Sequence, residues 1–350
     1  LFLIGIIGTS SYFIYQVWGA VDDSYDPLKR DKSSKRKKEV TMKDPFTVMF
    51  VGTDVRSAKS ENWRSDVLIV AAVNPKEKSI KMVSIPRDTL APIANTQGKD
   101  KINSAASYGI SKNVGPMTNT VETVEHFLNI PIDYYVKVNF NGFIELVDAV
   151  GGVDVNVPFD FSMRLFYKMQ HYEKGPAHLD GTRALGYVRM RKSDPRGDQG
   201  RNERQREVIQ ALMSKIVDIK SVTKIDDILQ SLGRNVTHNM KLEELYELQD
   251  IYRAIPDENT ETLKLNGRNS KDNPKGIWYY IVTDQERLRL SNVIRKQLKL
   301  PLQTLDGKPY QPTESQNQEE QGMEQQETGT QTPTDPAQGN QGMTPQGNQP

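Results

Sequence analysis

Apolar runs of strand length and stretches of helical period alternate along most of this chain. Residues 46–51, 67–73 and 80–85 are largely apolar, and an Asn74-Pro75 turn separates the second run from the third. Runs of that length bounded by turn residues predict buried strands. In residues 116–128, by contrast, Met117, Val121, Val124 and Leu128 fall on one face, which is the spacing of a helix. Residues 134–138 alternate like a strand, 141–150 read as a helix stopped by Gly151-Gly152, and 153–157 read as a strand. Further helices are expected over 201–219, 222–232, 242–251 and 285–298, with strands near 262–265 and 276–282. This alternation predicts an α/β fold: one globular domain over residues 45–310, its mixed central sheet flanked by helices.

The ends of the chain have different patterns. Residues 1–19 carry no charge and are just long enough to span a bilayer, with Tyr15 and Trp18 near one end where interfacial aromatics sit. They predict an uncleaved N-terminal transmembrane helix. Residues 20–44 are polar, without apolar period, and read as a linker. Their basic run (Lys29, Arg30, Lys32, Lys35, Arg36, Lys37, Lys38) would be kept in the cytoplasm by the positive-inside rule. Residues 311–350 are Gln, Asn, Gly, Pro, Thr and Glu with two methionines, too little apolar surface to fold, and a disordered tail is expected.

Composition removes several chemistries. The 46 basic and 45 acidic residues leave a net charge of +1, so no nucleic-acid partner is indicated. There is no cysteine, hence no thiol catalysis or Cys-ligated zinc. The four histidines (His126, His171, His178, His238) show no HExxH spacing, and no GxSxG occurs.

Basic character is local instead. Six arginines lie within residues 187–206. Val188 and Met190 alternate with Tyr187, Arg189 and Arg191, the period of a strand, which would put Arg189 and Arg191 on one face about 6–7 Å apart. A turn over 193–200 leads into a helix whose apolar face is Val208, Ile209, Leu212, Met213 and Ile216. At about 100° per residue, Gln205 falls near the centre of that face and Arg201 about 40° to one side, whereas Arg204 and Arg206 fall outside it and are expected in solvent. Arg189, Arg191, Arg201 and Gln205 would then converge, and like charges gather so only around a multivalent anion. The alternative is ordinary surface charge, or pairing with Asp194, Asp198 and Glu203.

Four polar motifs punctuate the strand ends: Gly52-Thr53-Asp54-Val55-Arg56, Arg64-Ser65-Asp66, Pro86-Arg87-Asp88 and Lys101-Ile102-Asn103. Ligands bind at such ends in open α/β sheets. If the first two strands pair antiparallel, Asp54 and Asp66 come to the same end, and two carboxylates with phosphate oxygens and water suit Mg²⁺, with Mn²⁺ as the alternative ion. Arg56, Arg64, Arg87 and Lys101 would neutralise the phosphate charge. Neither GxxxxGK[ST] nor GxGxxG is present, so the expected ligand is a pyrophosphate without a nucleoside. The apolar N-terminal stretch points to a lipid as its other substituent.

Together these motifs resemble the LytR-CpsA-Psr family of cell-wall glycopolymer ligases. The resemblance also takes in Ile-Pro-Ile-Asp-Tyr-Tyr-Val-Lys-Val-Asn-Phe at 130–140 and Val-Asp-Ala-Val-Gly-Gly-Val-Asp-Val at 147–155. It is dense over residues 45–219, looser to about 305, and shows no departure at the polar positions. It implies a single-pass protein with its catalytic domain outside a Gram-positive cell membrane. The implied activity is phosphotransfer of a polymer such as wall teichoic acid or capsule from undecaprenyl pyrophosphate to a peptidoglycan sugar hydroxyl. Asp54 and Asp66 would hold Mg²⁺, and Arg64, Arg87, Lys101, Arg189, Arg191, Arg201 and Gln205 would contact the pyrophosphate. Asp88 would orient its basic neighbours. The alternatives are a polyprenyl-pyrophosphate pyrophosphatase and a membrane-anchored polyanion-binding or regulatory module. A lipid tail further requires an apolar tunnel beside the arginines, expected from the faces of helices 116–128, 141–150 and 201–219. Deleting residues 311–350 should leave turnover of a lipid-linked donor within about twofold, under ~0.5 kcal/mol of barrier, in an assay of full-length and shortened protein side by side.

Overall fold

The computed structural model describes residues 24–55, 60, 62–191, 193–218 and 233–310. Residues from Tyr310 onward separate as their own unit, and the fold described is that of the unit ending at Pro309. Along the chain come β1 (Phe46–Thr53), β2 (Ser65–Asn74), β3 (Ser79–Ser84), the short β4 (Leu90–Pro92) and β5 (Lys99–Lys101), α1 (Ala105–Ser111) and α2 (Pro116–Leu128). Then follow β6 (Tyr134–Val138), α3 (Phe140–Ala149), β7 (Val153–Val157), β8 (Phe161–Leu165), β9 (Lys168–Tyr172), β10 (Gly175–Leu179), α4 (Gly181–Arg189) and α5 (Asp198–Asp218). The described chain closes with β11 (Val236–His238), α6 (Leu242–Arg253), β12 (Thr260–Leu263), β13 (Arg268–Ser270), β14 (Tyr279–Ile281) and α7 (Asp284–Gln297).

The central sheet is mixed, as expected, with order β11-β6-β1-β2-β3-β12. β1 pairs antiparallel with β2 and parallel with β6. It is largely apolar and mostly buried because it is covered on both faces. Met49 and Val51 face a core closed by Val121, Val124 and Leu128 of α2 and by Leu290 and Ile294 of α7. Phe46 and Val48 face the opposite way, toward Met82, Tyr134 and Met240, with Leu248 and Ile251 of α6 packed against them. A third cluster joins Val147, Leu185 and Leu212 of α3, α4 and α5 to the β7–β10 strands.

Three expectations are corrected. The strand expected over 187–191 is the end of α4, and Tyr187, Val188 and Met190 are all buried rather than alternating. Asp180 starts this helix by accepting the Arg183 amide at 2.7 Å, and the Gly181 amide donates to Asp148 Oδ1 at 2.7 Å. A Cβ on Gly181 would lie 2.3 Å from the Ile144 carbonyl oxygen, so α3 and α4 meet where only glycine fits. Second, the segment read as a linker is docked from residue 24 onward. Arg30 grips Glu125 at 2.6 and 2.9 Å, Arg36 pairs with Asp133 at 2.6 Å, and Met42 is buried. Its partners lie some ninety residues away, so local polarity could not show it. Third, strands β8, β9 and β10 and most of helix α4, in residues 158–186, were not anticipated, although the strand over 153–157 is present as β7. The helix expected over 222–232, the transmembrane helix over 1–19 and the tail over 311–350 lie outside the described residues. Among the described residues, no helix is long and apolar enough to cross a membrane.

The Arg36 and Asp133 side chains are 6% and 4% exposed, and Asp133 also accepts from the Thr47 amide at 3.0 Å. Replacing Arg36 with alanine leaves a buried carboxylate without its cation, so Arg36→Ala should lower unfolding stability by roughly 3–5 kcal/mol in denaturant titration.

Candidate active site

The site grows from the paired ends of β1 and β2. Thr53 pairs with Ser65 but Gly52 with Val67, so Asp66 is the extra residue of a β-bulge and its side chain is re-aimed at the strand end. A Cβ on Gly52 would sit 2.9 Å from the Val67 Cβ, which leaves glycine as the residue for this crossing. Asp54, one step past the strand, accepts the Arg64 amide on Oδ1 at 3.1 Å and is otherwise exposed. The antiparallel pairing thus puts Asp54, Arg64 and Asp66 at one end of the sheet, as the motif spacing requires. Arg56 lies outside the described residues.

A chain of alternating charges runs back from Asp66. Arg87 Nη1 donates to Asp66 Oδ1 at 2.7 Å. Asp88 lies 3.7 Å from Arg87 Nε and accepts from Lys101 Nζ at 2.7 Å. Asp88 is 13% exposed and sits behind the two cations, holding both. The Lys-Ile-Asn motif is tied to Pro-Arg-Asp through the backbone, Ile102 N to Thr89 O at 2.8 Å and Asn103 N to Arg87 O at 3.2 Å.

The arginine-rich stretch divides in two. Arg189 and Arg191 are exposed at the end of α4, with Arg189 stacked 4.5 Å over the Phe140 ring, a cation–π contact that fixes the guanidinium without neutralising it. Arg201 and Gln205 are buried on α5, each 7% exposed, in agreement with their helical phase. Arg204 and Arg206, expected in solvent, are not there. Arg204 is wholly buried: it pairs with Asp194, donates to Tyr187 O at 3.1 Å and also reaches Met190 O. Burial disfavours the Asp194 carboxylate, but the hydrogen bonds from Arg204 and Arg196 outweigh it and hold its pKa below the ordinary value. Arg206 donates to Ser84 Oγ at 3.1 Å, and its burial lowers its pKa. Arg196 pairs with Asp194 and Glu203. Internal pairing therefore accounts for Arg196 and Arg204. Asp194 was the sequence signal for this: a Cβ on Gly200 would lie 1.9 Å from its Oδ2, so the turn is built around that carboxylate.

Asp66, Arg87, Arg189, Arg191, Arg201 and Gln205 line one end of a cavity of about 830 Å³. Its remaining wall is largely apolar, with Phe50 and Val136 from the sheet, Phe143 from α3, Leu185 from α4, Leu212 from α5 and Leu248 from α6. The expected apolar space beside the arginines is present as a cavity, with one correction. Helix α2 does not line it, because α2 packs on the opposite face of the sheet. Lys101, Asp88, Asp54 and Arg64 do not line it, although Asp88 is paired with Arg87, which does. Asn139 and Phe140 were not singled out as site residues, although both fall within the 130–140 motif. Buried Asn139 caps α3 by accepting the Gly142 amide at 2.9 Å and lines the same cavity. His238 also reaches the wall, and burial lowers its pKa.

Two carboxylates at the sheet end, Asp54 and Asp66, could receive a hard cation. Among the described residues no group of three or more His, Cys, Asp or Glu side chains could hold a metal ion. The donor set fits an ion that takes its other ligands from water and substrate oxygens, as Mg²⁺ does.

The chain is similar to known proteins in both sequence and fold. Residues 11–296 match the model of the LytR_cpsA_psr family. The polyisoprenyl-teichoic acid–peptidoglycan teichoic acid transferase TagV of Bacillus subtilis (strain 168) is 40% identical over 298 residues, 83% of this chain and 75% of TagV. The crystal structure of B. subtilis TagV, 39% identical, superposes with a TM-score of 0.65 over 74% of this chain and 98% of its own. TagT (YwtF), described as a LytR-CPS2A-psr family protein with bound octaprenyl pyrophosphate lipid, is 28% identical, with a TM-score of 0.61 over 79% and 100% of the two chains.

The two classes of arginine should separate on substitution. Arg201→Ala should reduce donor turnover by about 10²–10³ with a melting temperature close to that of wild type. Arg204→Ala should instead lower stability by roughly 3–5 kcal/mol, since Asp194 is then buried without its partner. Thermal melts and turnover on the same preparations check both.

Proposed function

Because this chain belongs to the LytR-CpsA-Psr family, we propose that it is a phosphotransferase acting on a lipid-linked wall polymer. It moves an anionic glycopolymer of the wall teichoic acid type from a polyprenyl pyrophosphate to a sugar hydroxyl of peptidoglycan. One observation carries this reading: the arginine-lined end and the apolar interior belong to a single cavity. That pairing matches a pyrophosphate joined to an isoprenoid, the lipid class bound in TagT, and the named activity of TagV supplies the reaction.

In this reaction the acceptor hydroxyl oxygen attacks the phosphorus bearing the polymer. A new P–O bond forms, the bond to the bridging oxygen breaks, and polyprenyl phosphate leaves with the bonding pair. The hydroxyl proton is given up to water or to a carboxylate at the sheet end. Charge spreads over the phosphoryl oxygens, so catalysis is chiefly positioning and charge neutralisation. Arg87, Arg189, Arg191, Arg201 and Gln205 surround the pyrophosphate, Arg64 and Lys101 add charge from the flanks, and Asp88 keeps Arg87 and Lys101 in place. Apolar walls hold the tail and exclude water from the leaving group's side. Mg²⁺, or Mn²⁺ in its place, would be held by Asp54 and Asp66 and would supply further neutralisation of the phosphate oxygens. Residues 1–19 serve as a single membrane-spanning anchor, with the catalytic domain on the outer side of the cell membrane.

Asp66→Ala should lower turnover of a synthetic lipid-pyrophosphate donor by about 10³ while leaving the fold intact by circular dichroism. Full activity in this variant would sink the assignment. With a peptidoglycan fragment present, mass spectrometry should find a polymer–glycan phosphodiester. Free phosphorylated polymer as the only product, with or without acceptor, would make the protein a pyrophosphatase.

A further inference from the structure

The 161–172 hairpin carries a feature that folding does not explain. Strand pairing runs from Phe161 opposite Tyr172 to Leu165 opposite Lys168, which leaves Phe166 and Tyr167 as a two-residue loop. Both are left-handed, with φ of +48° and +67°. Tight hairpins with two left-handed residues ordinarily use Asn-Gly or Asp-Gly, since a Cβ and a bulky ring are disfavoured there. Here two aromatics fill the costliest positions, and Tyr167 gains almost no burial in return. Tyr167 is 93% exposed, Phe166 37%, and Met169, beside them on β9, 54%.

The stem of the hairpin is firmly held. Phe161, Leu165 and Tyr172 are buried in the cluster shared with α3, α4 and α5, and Phe161 stacks on Tyr172 at 4.4 Å between centroids. Within the hairpin the charged side chains have one sign. Arg164 and Lys168 flank the tip and are exposed, while the nearest acids, Asp160 and Glu173, lie outside the paired strands at the base. Ser162, Met163 and Arg164 are also wall residues of the lipid-sized cavity, beside Arg189 and Arg191. An aromatic tip with basic flanks on a rigid stem matches the interface of an anionic bilayer, where rings sit at headgroup depth and Lys or Arg meets lipid phosphate.

We propose that this hairpin docks the domain on the membrane surface, inserting Phe166, Tyr167 and Met169 between the headgroups of anionic lipids. The cavity wall is thereby brought against the bilayer that holds the donor. The inference rests on the proposed use of a polyprenyl donor, and its test separates the two. Because the chain contains no cysteine, Tyr167→Cys gives a single attachment point for a nitroxide in the full chain. In phosphatidylglycerol-containing vesicles, the label at 167 should collide more with oxygen than with a water-soluble nickel chelate. A label at exposed Lys275 (Lys275→Cys) should show the reverse. Equal, water-like accessibility at both positions would overturn the docking.

A second measurement compares donors. The Phe166→Ser, Tyr167→Ser double variant should lose about tenfold in turnover of a donor embedded in vesicles, and stay within about twofold of wild type on a short-chain donor dispersed in detergent. An equal loss on both donors would overturn the proposal, because the tip would then serve the fold or the site. If the wild-type protein turned over neither donor, the transfer reaction would fail as its function, while the nitroxide would still report whether the tip enters lipid.

Discussion

Concentrated positive charge beside an apolar wall is the constraint on which this structure rests. Guanidinium groups repel one another and gain nothing from hydrocarbon, so a cavity with both ends as observed collapses or opens unless each cation is held from outside. The protein uses two devices. Arg87 is ion-paired with Asp66 and Asp88, and Lys101 with Asp88, whereas Arg189 lies on the face of Phe140. Both devices fix position ahead of the ligand, and the ring does so without neutralising Arg189, as expected of an electrostatically preorganised site.

That arrangement in turn depends on a purely structural pair. Arg204 and Asp194 bury their opposite charges within the turn joining α4 to α5, and Arg204 also caps the backbone at Tyr187 and Met190. Carbonyls at the end of α4 are thereby satisfied, next in the chain to Arg189 and Arg191. Similar chemistry, an arginine next to an aspartate, thus serves the cavity at Arg87 and the framework at Arg204.

Much of this was legible in the sequence, for identifiable reasons. The central strands and α2 were readable because continuous apolar runs and an i, i+4 stripe have few alternative readings, and helical phase placed Arg201 and Gln205 inward. The strand-end motifs were readable because polar residues next to a buried strand need a use. What escaped was set by contacts distant in sequence. Tyr187-Val-Arg-Met-Arg has a strand's alternation over five residues, yet Asp180 and Asp148 stabilise a helix there and tertiary packing overrides the pattern. Arg204 lay outside the apolar arc, and no periodicity argument allows for a carboxylate arriving at Asp194 to receive it. Phase could place α5 against the cavity, but it could not tell which face of the sheet α2 would cover.

The docking of residues 24–44 has a consequence for kinetics. Arg30 and Arg36 are fastened to Glu125 and Asp133, so the folded unit reaches back close to the proposed anchor at residues 1–19. On that proposal, an enzyme so closely moored would search in two dimensions. Its lipid donor would diffuse to it within the bilayer, while acceptor strands would have to approach the membrane. The depth of wall open to modification would then be set by the length of a tether rather than by the affinity of a binding site.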